Sequence, residues 1–390
     1  MQVGVLLNHY EPHQVPHVVP YAFALSRLRP DWRIRILCST GAEAALATRI
    51  GAAYPGHAAR IEPLAVPLHC RLVDPVSRHV AFYRKQAVRR ANRRLLAGFD
   101  ALVVPEVTSL SLREEIGGDA PALIFTGHGA GDFYSNPFGM FDPRLARFDL
   151  VLLQGGRIAA DLRRHGGLDG MRYAVAGYPK FEAMSAPAPR FFDNADPVVL
   201  YNPTQNPRGT SWHRFGEAVL DAFAARDDLN LIFAPHALLF KRSLTRGARL
   251  PRRVRTGPRL RVDTGSPASF DMTYTRAADL YLGDQSSQVY EFVRDPRPCV
   301  FLNAAETGWQ GNPDYRSWSF GPVVESAADL MPAIDAALAG FERWRPAQEA
   351  ALAEDAPDPG APFPGAPPSE RGARAVAEFL ETGRISEAWR

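Results

Sequence analysis

The sequence predicts an α/β fold: two doubly wound parallel-sheet domains facing across a cleft. Three observations predict it. Short apolar runs alternate with longer helical stretches, the series occurs twice, and a break rich in Pro, Ala and Asp (185–197) separates the two series.

In the first series, VGVLL (3–7), IRIL (34–37), ALVVP (101–105), ALIF (122–125) and LVLL (150–153) read as buried strands, and YAVAG (173–177) closes it. They are short, unalternating and bounded by polar residues, Gly or Pro, as strands covered on both faces are. Helical patterns lie between them at 17–28, 42–51, 74–97 and 156–165. The second series has strands at 198–202, 231–235, 260–264, 279–283 and 299–303, with helices at 212–226, 269–276, 286–294 and 327–341. The prolines of 353–368 exclude helix or strand interior there. A last helix follows at 369–382, and the end ISEAWR is expected to be helical too. The expected domains are therefore 1–185, an acceptor-side Rossmann-like domain, and 186–368, a nucleotide-donor domain. Helices at 369–390 are expected to pack back on the first domain. In such sheets ligands bind beyond the carboxyl ends of the strands, so the expected site is the cleft between the domains.

Composition narrows the class. A chain of 390 residues, 46% hydrophobic and 22% charged with net charge +3, is an ordinary globular protein. The positive charge is nearly all Arg, with Lys only at 85, 180 and 241. Arg suits bidentate binding of phosphate and carboxylate. Cys38, Cys70 and Cys299 form no CxxC pair, which argues against a disulfide framework or a zinc site. The start MQVGVLLNHYEPH is not a signal peptide, and no run of about 18 apolar residues occurs. The expected location is the cytoplasm, peripheral at the inner membrane surface. The stretch 78–94 carries seven cations and no acid, so a helix there could lie on an anionic membrane or be a solvated face. No nucleic-acid motif accompanies the charge.

Four strand ends carry candidate chemistry. After ALIF comes Phe125-Thr126-Gly127-His128-Gly129-Ala130-Gly131-Asp132. Glycines flank His128, the candidate general base; the plain alternative is a His that orders its loop. After DLYLG comes Asp284-Gln285-Ser286-Ser287, opening a helix whose N–H groups and hydroxyls would hold a diphosphate, or else a simple N-cap. Glu291, a turn further, could accept from two ribose hydroxyls. Tyr201-Asn202-Pro203-Thr204 and Ala234-Pro235-His236, followed by Lys241 and Arg242, end two further strands. His236 with these cations would offset charge on a leaving group. His9, Tyr10, His13 and His17 crowd the loop after the first strand, with no acidic or Cys partner to support a metal.

The order GHG, GYPK, YNPTQN, PH, GDQSSQVYEF and SER, over about residues 120–380, resembles the CDP-glycerol glycerophosphotransferases, including teichoic-acid polymerases. His128-Gly129, Gly177-Tyr178-Pro179, Asp284-Gln285-Ser286-Ser287 and Glu291 match that family's motifs. Ser369-Glu370-Arg371 is similar to its closing motif. The resemblance implies a GT-B fold, a CDP-linked donor held mainly by the second domain, and transfer of a polyol phosphate to a hydroxyl acceptor (a polyol, saccharide or lipid-linked molecule). It implies a His base, matched here by His128. The residues themselves then place His236 with Lys241 or Arg242 at the leaving group, Asn202, Thr204, Asp284, Ser286 and Ser287 around the phosphates and Glu291 at the ribose, and with no acidic metal cluster evident neither metal nor cofactor is expected. The family's His-Gly-Thr followed by Lys is here His128-Gly129-Ala130-Gly131-Asp132, which points to a related donor or a smaller acceptor. Two other readings stay open: a sugar-nucleotide glycosyltransferase, epimerase or hydrolase on the same fold, and a non-catalytic nucleotide sensor.

Overall fold

The computed structural model describes residues 1–8, 12–77, 84–130, 139–184, 187–241 and 248–390. They fall into two compact units, one of residues 1–77, 84–184 and 353–390, the other of residues 187–352.

The first unit begins β1 (Gln2–Leu7), α1 (Val15–Leu28), β2 (Arg33–Cys38), α2 (Gly41–Gly51) and β3 (Arg60–Pro63). Three helices follow, α3 (Leu68–Ser77), α4 (Arg84–Ala91) and α5 (Arg93–Ala97). Next come β4 (Ala101–Val104), α6 (Ser111–Ile116), β5 (Ala122–Phe125), β6 (Leu150–Leu153), α7 (Gly156–Arg164), β7 (Tyr173–Val175) and α8 (Lys180–Ala183). The seven strands are all parallel, in the order β3-β2-β1-β4-β5-β6-β7. Helices cover both faces, so every residue of β4 and β6 is buried.

The second unit repeats the plan. It has β8 (Val198–Asn202), α9 (Trp212–Ala224), β9 (Asn230–Phe233), α10 (Ala237–Lys241), β10 (Leu260–Val262), α11 (Thr273–Ala277) and β11 (Leu280–Gly283). Then follow α12 (Gln288–Phe292), β12 (Cys299–Leu302), β13 (Val323–Val324) and α13 (Leu330–Ala339). Its parallel sheet runs β10-β9-β8-β11-β12-β13. The core is aromatic: Trp212 stacks on Phe233 at 5.1 Å, beside fully buried Tyr201. Each such side chain contributes about 1.5–3 kcal/mol by leaving water. In both sheets the order reverses between the first and fourth strands, β1/β4 and β8/β11, and that switch point opens a crevice beyond the strand ends.

The chain ends with α14 (Arg345–Asp355) and α15 (Pro368–Thr382). α15 packs on α1 so closely that a Cβ on Gly372 would lie 2.1 Å from the Tyr21 ring. Arg371, 1% exposed, donates to the Val175 carbonyl at 2.8 Å, and Ser369 N–H donates to Glu182 at 3.1 Å. Gly177, at φ +89, lies against Pro368. The GYP and SER motifs thus meet each other, as the joint that ties the C-terminal helix to β7 and α8.

Several elements differ from expectation. Of the helix expected over 74–97, residues 78–83 lie outside the described residues, and the rest falls in α3, α4 and α5. Between the last two, buried Asn92 turns its amide onto both backbone groups of Ala65, at 2.9 and 2.8 Å, and interrupts the helix. Strand β3 has no apolar run because it is a half-exposed edge strand ending in Pro63. β13 is only two residues long, and α14 begins with Pro346 in its first turn, where proline is tolerated. The C-terminal ISEAWR holds a single 3-10 turn, Glu387–Trp389. All three cysteines are free and buried. Among the described residues no helix is long and apolar enough to cross a membrane.

Candidate functional site

Each unit gathers polar side chains at its switch point. In the first, Gly127 turns the chain out of β5 at φ +67, where a Cβ would meet Gln154 Nε2 at 2.8 Å. The turn presents His128, which is exposed. His128 Nδ1–H donates to the Pro105 carbonyl at the end of β4, at 3.0 Å. That bond leaves the Nε2 lone pair as the ring's acceptor, the form a general base requires. His13 and His17, following β1, lie edge-on to the His128 ring at 5.9 and 6.5 Å.

Behind this face the side chains are buried. His17 is 6% exposed and its Nδ1 is 2.7 Å from Tyr178 Oη. Burial, then the nearby Lys180 ammonium and His128, hold the His17 pKa well below the ordinary histidine value, so the ring is neutral at pH 7. Lys180, the first residue of α8, is itself buried. Across the switch point, Glu106 accepts from Gln14 Nε2 at 2.6 Å, from Thr108 Oγ1 at 2.9 Å and from Lys85.

In the second unit Asp284 follows β11 directly and is 0% exposed. Its Oδ2 accepts from Thr204 N–H at 2.8 Å and Ser211 N–H at 3.0 Å, so it binds the loop after β8 to the end of β11. Burial pushes the Asp284 carboxyl up to about 7. Asn202 is equally structural: its amide donates to the Ala234 carbonyl at 2.5 Å and accepts from Tyr281 Oη at 3.3 Å. Both were expected to contact ligand; in the structure both hold the strand-end loops in place.

The other second-unit candidates lie around that frame. Ser286 Oγ accepts from Gln288 N–H at 3.2 Å, while the Ser287 side chain makes no capping bond. α12 is only five residues long, so its macrodipole is small and any anion there would be held by hydroxyls and local N–H groups. Glu291, 4% exposed, lines a narrow crevice with Asn202, Ala234, Ser269, Tyr274 and Gln288. His236 follows β9, and its Nδ1 accepts from Leu238 N–H at 3.2 Å. In the neutral ring that bond puts the proton on Nε2. Lys241 ends α10, but its side chain lies outside the described residues, as do Arg242, His9, Tyr10, Gly131 and Asp132.

Sequence reasoning gave no role to Lys180, Tyr178 or Glu106. One signal was available: in a chain with only three lysines, two lie in the first unit, Lys85 bonded to Glu106 and Lys180 beside His17.

No family model matches the sequence, and no curated protein does either. The fold has many counterparts among solved structures. The chain is similar to the Methanocaldococcus jannaschii UDP-GlcNAc 2-epimerase in complex with UDP-GlcNAc and UDP: TM-score 0.57 at 13% identity, covering 98% of this chain and 100% of that one. It is similar to the S. aureus MnaA–UDP structure, with TM-score 0.56 at 11% identity over 97% and 96% of the two chains. It is also similar to the wall teichoic acid polymerase TagF with CDPG, with TM-score 0.58 at 12% identity over 98% and 88%. With its two doubly wound parallel sheets, the chain has the α/β fold of GT-B type.

Proposed function

We propose that the chain is a sugar-nucleotide enzyme, a glycosyltransferase or epimerase, whose nucleoside diphosphate binds the second unit. The observation that carries this reading is a buried carboxylate, Glu291, lining a narrow crevice with Asn202 and Gln288, in the unit whose strand-end loops also bear Thr204, His236, Ser286 and Ser287. Glu291 accepts from the ribose hydroxyls. Ser286, Ser287 and Thr204 donate to the diphosphate, and His236 Nε2–H offsets the charge that develops as the sugar–oxygen bond breaks. His128 Nε2 takes the proton of the reacting group, and neutral His17 keeps like charge from crowding it. Fold likeness to a UDP-GlcNAc 2-epimerase solved with UDP-GlcNAc and UDP, and to the MnaA–UDP structure, supports this choice of ligand class.

A second reading is favoured by the motif order and by the likeness to TagF: transfer of a polyol phosphate from a CDP-linked donor. The same residues serve, but His128 activates an acceptor hydroxyl, the bond broken is P–O, and CMP leaves.

Thermal-shift titration with UDP-, CDP- and GDP-linked sugars and polyols, followed by product analysis, tests both. A ligand at 100 times its Kd stabilises by about 2.7 kcal/mol, which raises the melting temperature of a unit this size by roughly 5–10 °C. The largest shift is expected from a UDP-sugar, with UDP or an epimer as product; CMP release would select the second reading. His128→Gln should keep the shift and lose turnover by about 10²–10⁴. No shift from any nucleotide diphosphate would sink both readings.

A further inference from the structure

Six large hydrophobic side chains stand exposed among the described residues, and four of them are on one helix of ten. Leu68, Leu72 and Val76 are 69%, 71% and 73% exposed, and Val73 is 48%. The first three follow one another at i, i+4 and i+8, so they form a single stripe along α3. The inward face is occupied: Cys70 is buried, and Asp74 pairs with Arg84 at 2.7 Å. The helix is therefore turned with its apolar side to water, at a cost that an occupant would remove.

Charge identifies the occupant. Residues 68–97 hold eight cations against the single acid Asp74, in a chain of net charge +3. Arg84, Lys85 and Arg89 are consumed by Asp74, Glu106 and Glu115, so the basic run is only in part a membrane-facing surface. Arg71, Arg90, Arg93 and Arg94 remain exposed. A second copy of this chain would bring two such basic regions together across the stripe, which electrostatics opposes. An anionic bilayer satisfies both features: headgroups meet the arginines and the acyl boundary takes the apolar stripe.

We propose that α3 is an in-plane docking helix for an anionic membrane surface, with Leu68, Leu72 and Val76 entering the interface and the exposed arginines at headgroup level. The reaction catalysed does not enter this inference, so either can fail alone. Co-sedimentation of the full chain with phosphatidylglycerol vesicles, against phosphatidylcholine vesicles, tests it. Wild type is expected to sediment with the anionic vesicles, and less so as salt is raised. Leu72→Glu with Val76→Glu should lower the partition coefficient at least about tenfold, while the nucleotide-dependent thermal shift stays unchanged, since both side chains are exposed. Arg90→Glu with Arg94→Glu should weaken binding and flatten its salt dependence. The proposal is overturned if wild type ignores phosphatidylglycerol vesicles or the apolar double variant binds as wild type does. It is equally overturned if that variant's only effect is to dissolve a dimer seen by sedimentation equilibrium.

Discussion

Replacing Asp284 by Asn should change how the second unit's stability depends on pH. The carboxyl is 0% exposed, and burial, its largest influence, raises it from 3.8 to about 7 in spite of its bonds from Ser211 and Thr204. The sign follows from linkage. Below about pH 4 both folded and unfolded forms are protonated. Between there and about pH 7 the unfolded chain ionises while the folded one keeps its proton, so stability falls as pH rises, and above 7 the loss is complete. Three pK units at about 1.4 kcal/mol each make the loss about 4 kcal/mol. The amide has no such step. Its oxygen can accept from Thr204 and Ser211 as the carboxylate does, while its NH2 falls where Asp284 Oδ1 has no partner, at a pH-independent cost of about 1–3 kcal/mol. Urea unfolding at pH 5 and pH 8, followed by fluorescence of Trp212 against its Phe233 partner, reads the difference. Wild type has already lost about 1.6 kcal/mol at pH 5, so the two proteins should lie close together there, and the variant should gain on wild type by about 2.6 kcal/mol between pH 5 and pH 8. A gap that is the same at both pH values, within about 0.5 kcal/mol, would show that Asp284 is ionised in the folded chain and refute the reasoning.

Imidazole ¹⁵N spectra should show opposite tautomers in the two units: Nε2 pyridine-like in His128, bonded through Nδ1 to Pro105, and Nδ1 pyridine-like in His236. The same tautomer in both would remove the division of roles. Gly372→Ala should destabilise the first unit by about 1–3 kcal/mol, read as a lower melting temperature, because the new methyl would meet buried Tyr21. Gly365→Ala, whose Cβ meets nothing within 4 Å, should be neutral.

Much of the fold was legible because parallel strands covered on both faces have no choice of composition. LVLL and ALIF are apolar throughout, VVLYN is apolar up to its last two residues, and each is a strand in the structure. What escaped were elements whose environment is not uniform. β3 is an edge with only partly buried residues, and the break between α4 and α5 depends on Asn92 reaching Ala65, 27 residues away in sequence. The site was legible by residue type but not by role. Asp284 sits in a motif that reads as ligand-binding, and only its bonds to Thr204 and Ser211 reveal a brace. His17 reads as one of several loop histidines, and only burial beside Lys180 shows it to be neutral. Such distinctions depend on what lies behind a side chain, which spacing along a strand or helix does not encode.

The two candidate histidines show what the scaffold contributes. Each sits on a loop leaving a central parallel strand, and a histidine there could take either tautomer. The carbonyl of Pro105 accepts from His128, whereas the N–H of Leu238 donates to His236, so the backbone selects opposite tautomers of the neutral ring in the two units. Both of these partners are main-chain groups. Asp284 and Asn202 act in the same sense, fixing the loops after β8, β9 and β11 by bonds to backbone atoms. Prepositioning of this kind is what a transfer or epimerisation at a nucleotide diphosphate needs, because its catalysis rests on charge placed before the leaving group departs rather than on groups that must reorganise to meet it. A scaffold that spends buried polar side chains on holding its strand-end loops is therefore better suited to a reactive diphosphate than to a passive nucleotide sensor, for which affinity alone would suffice.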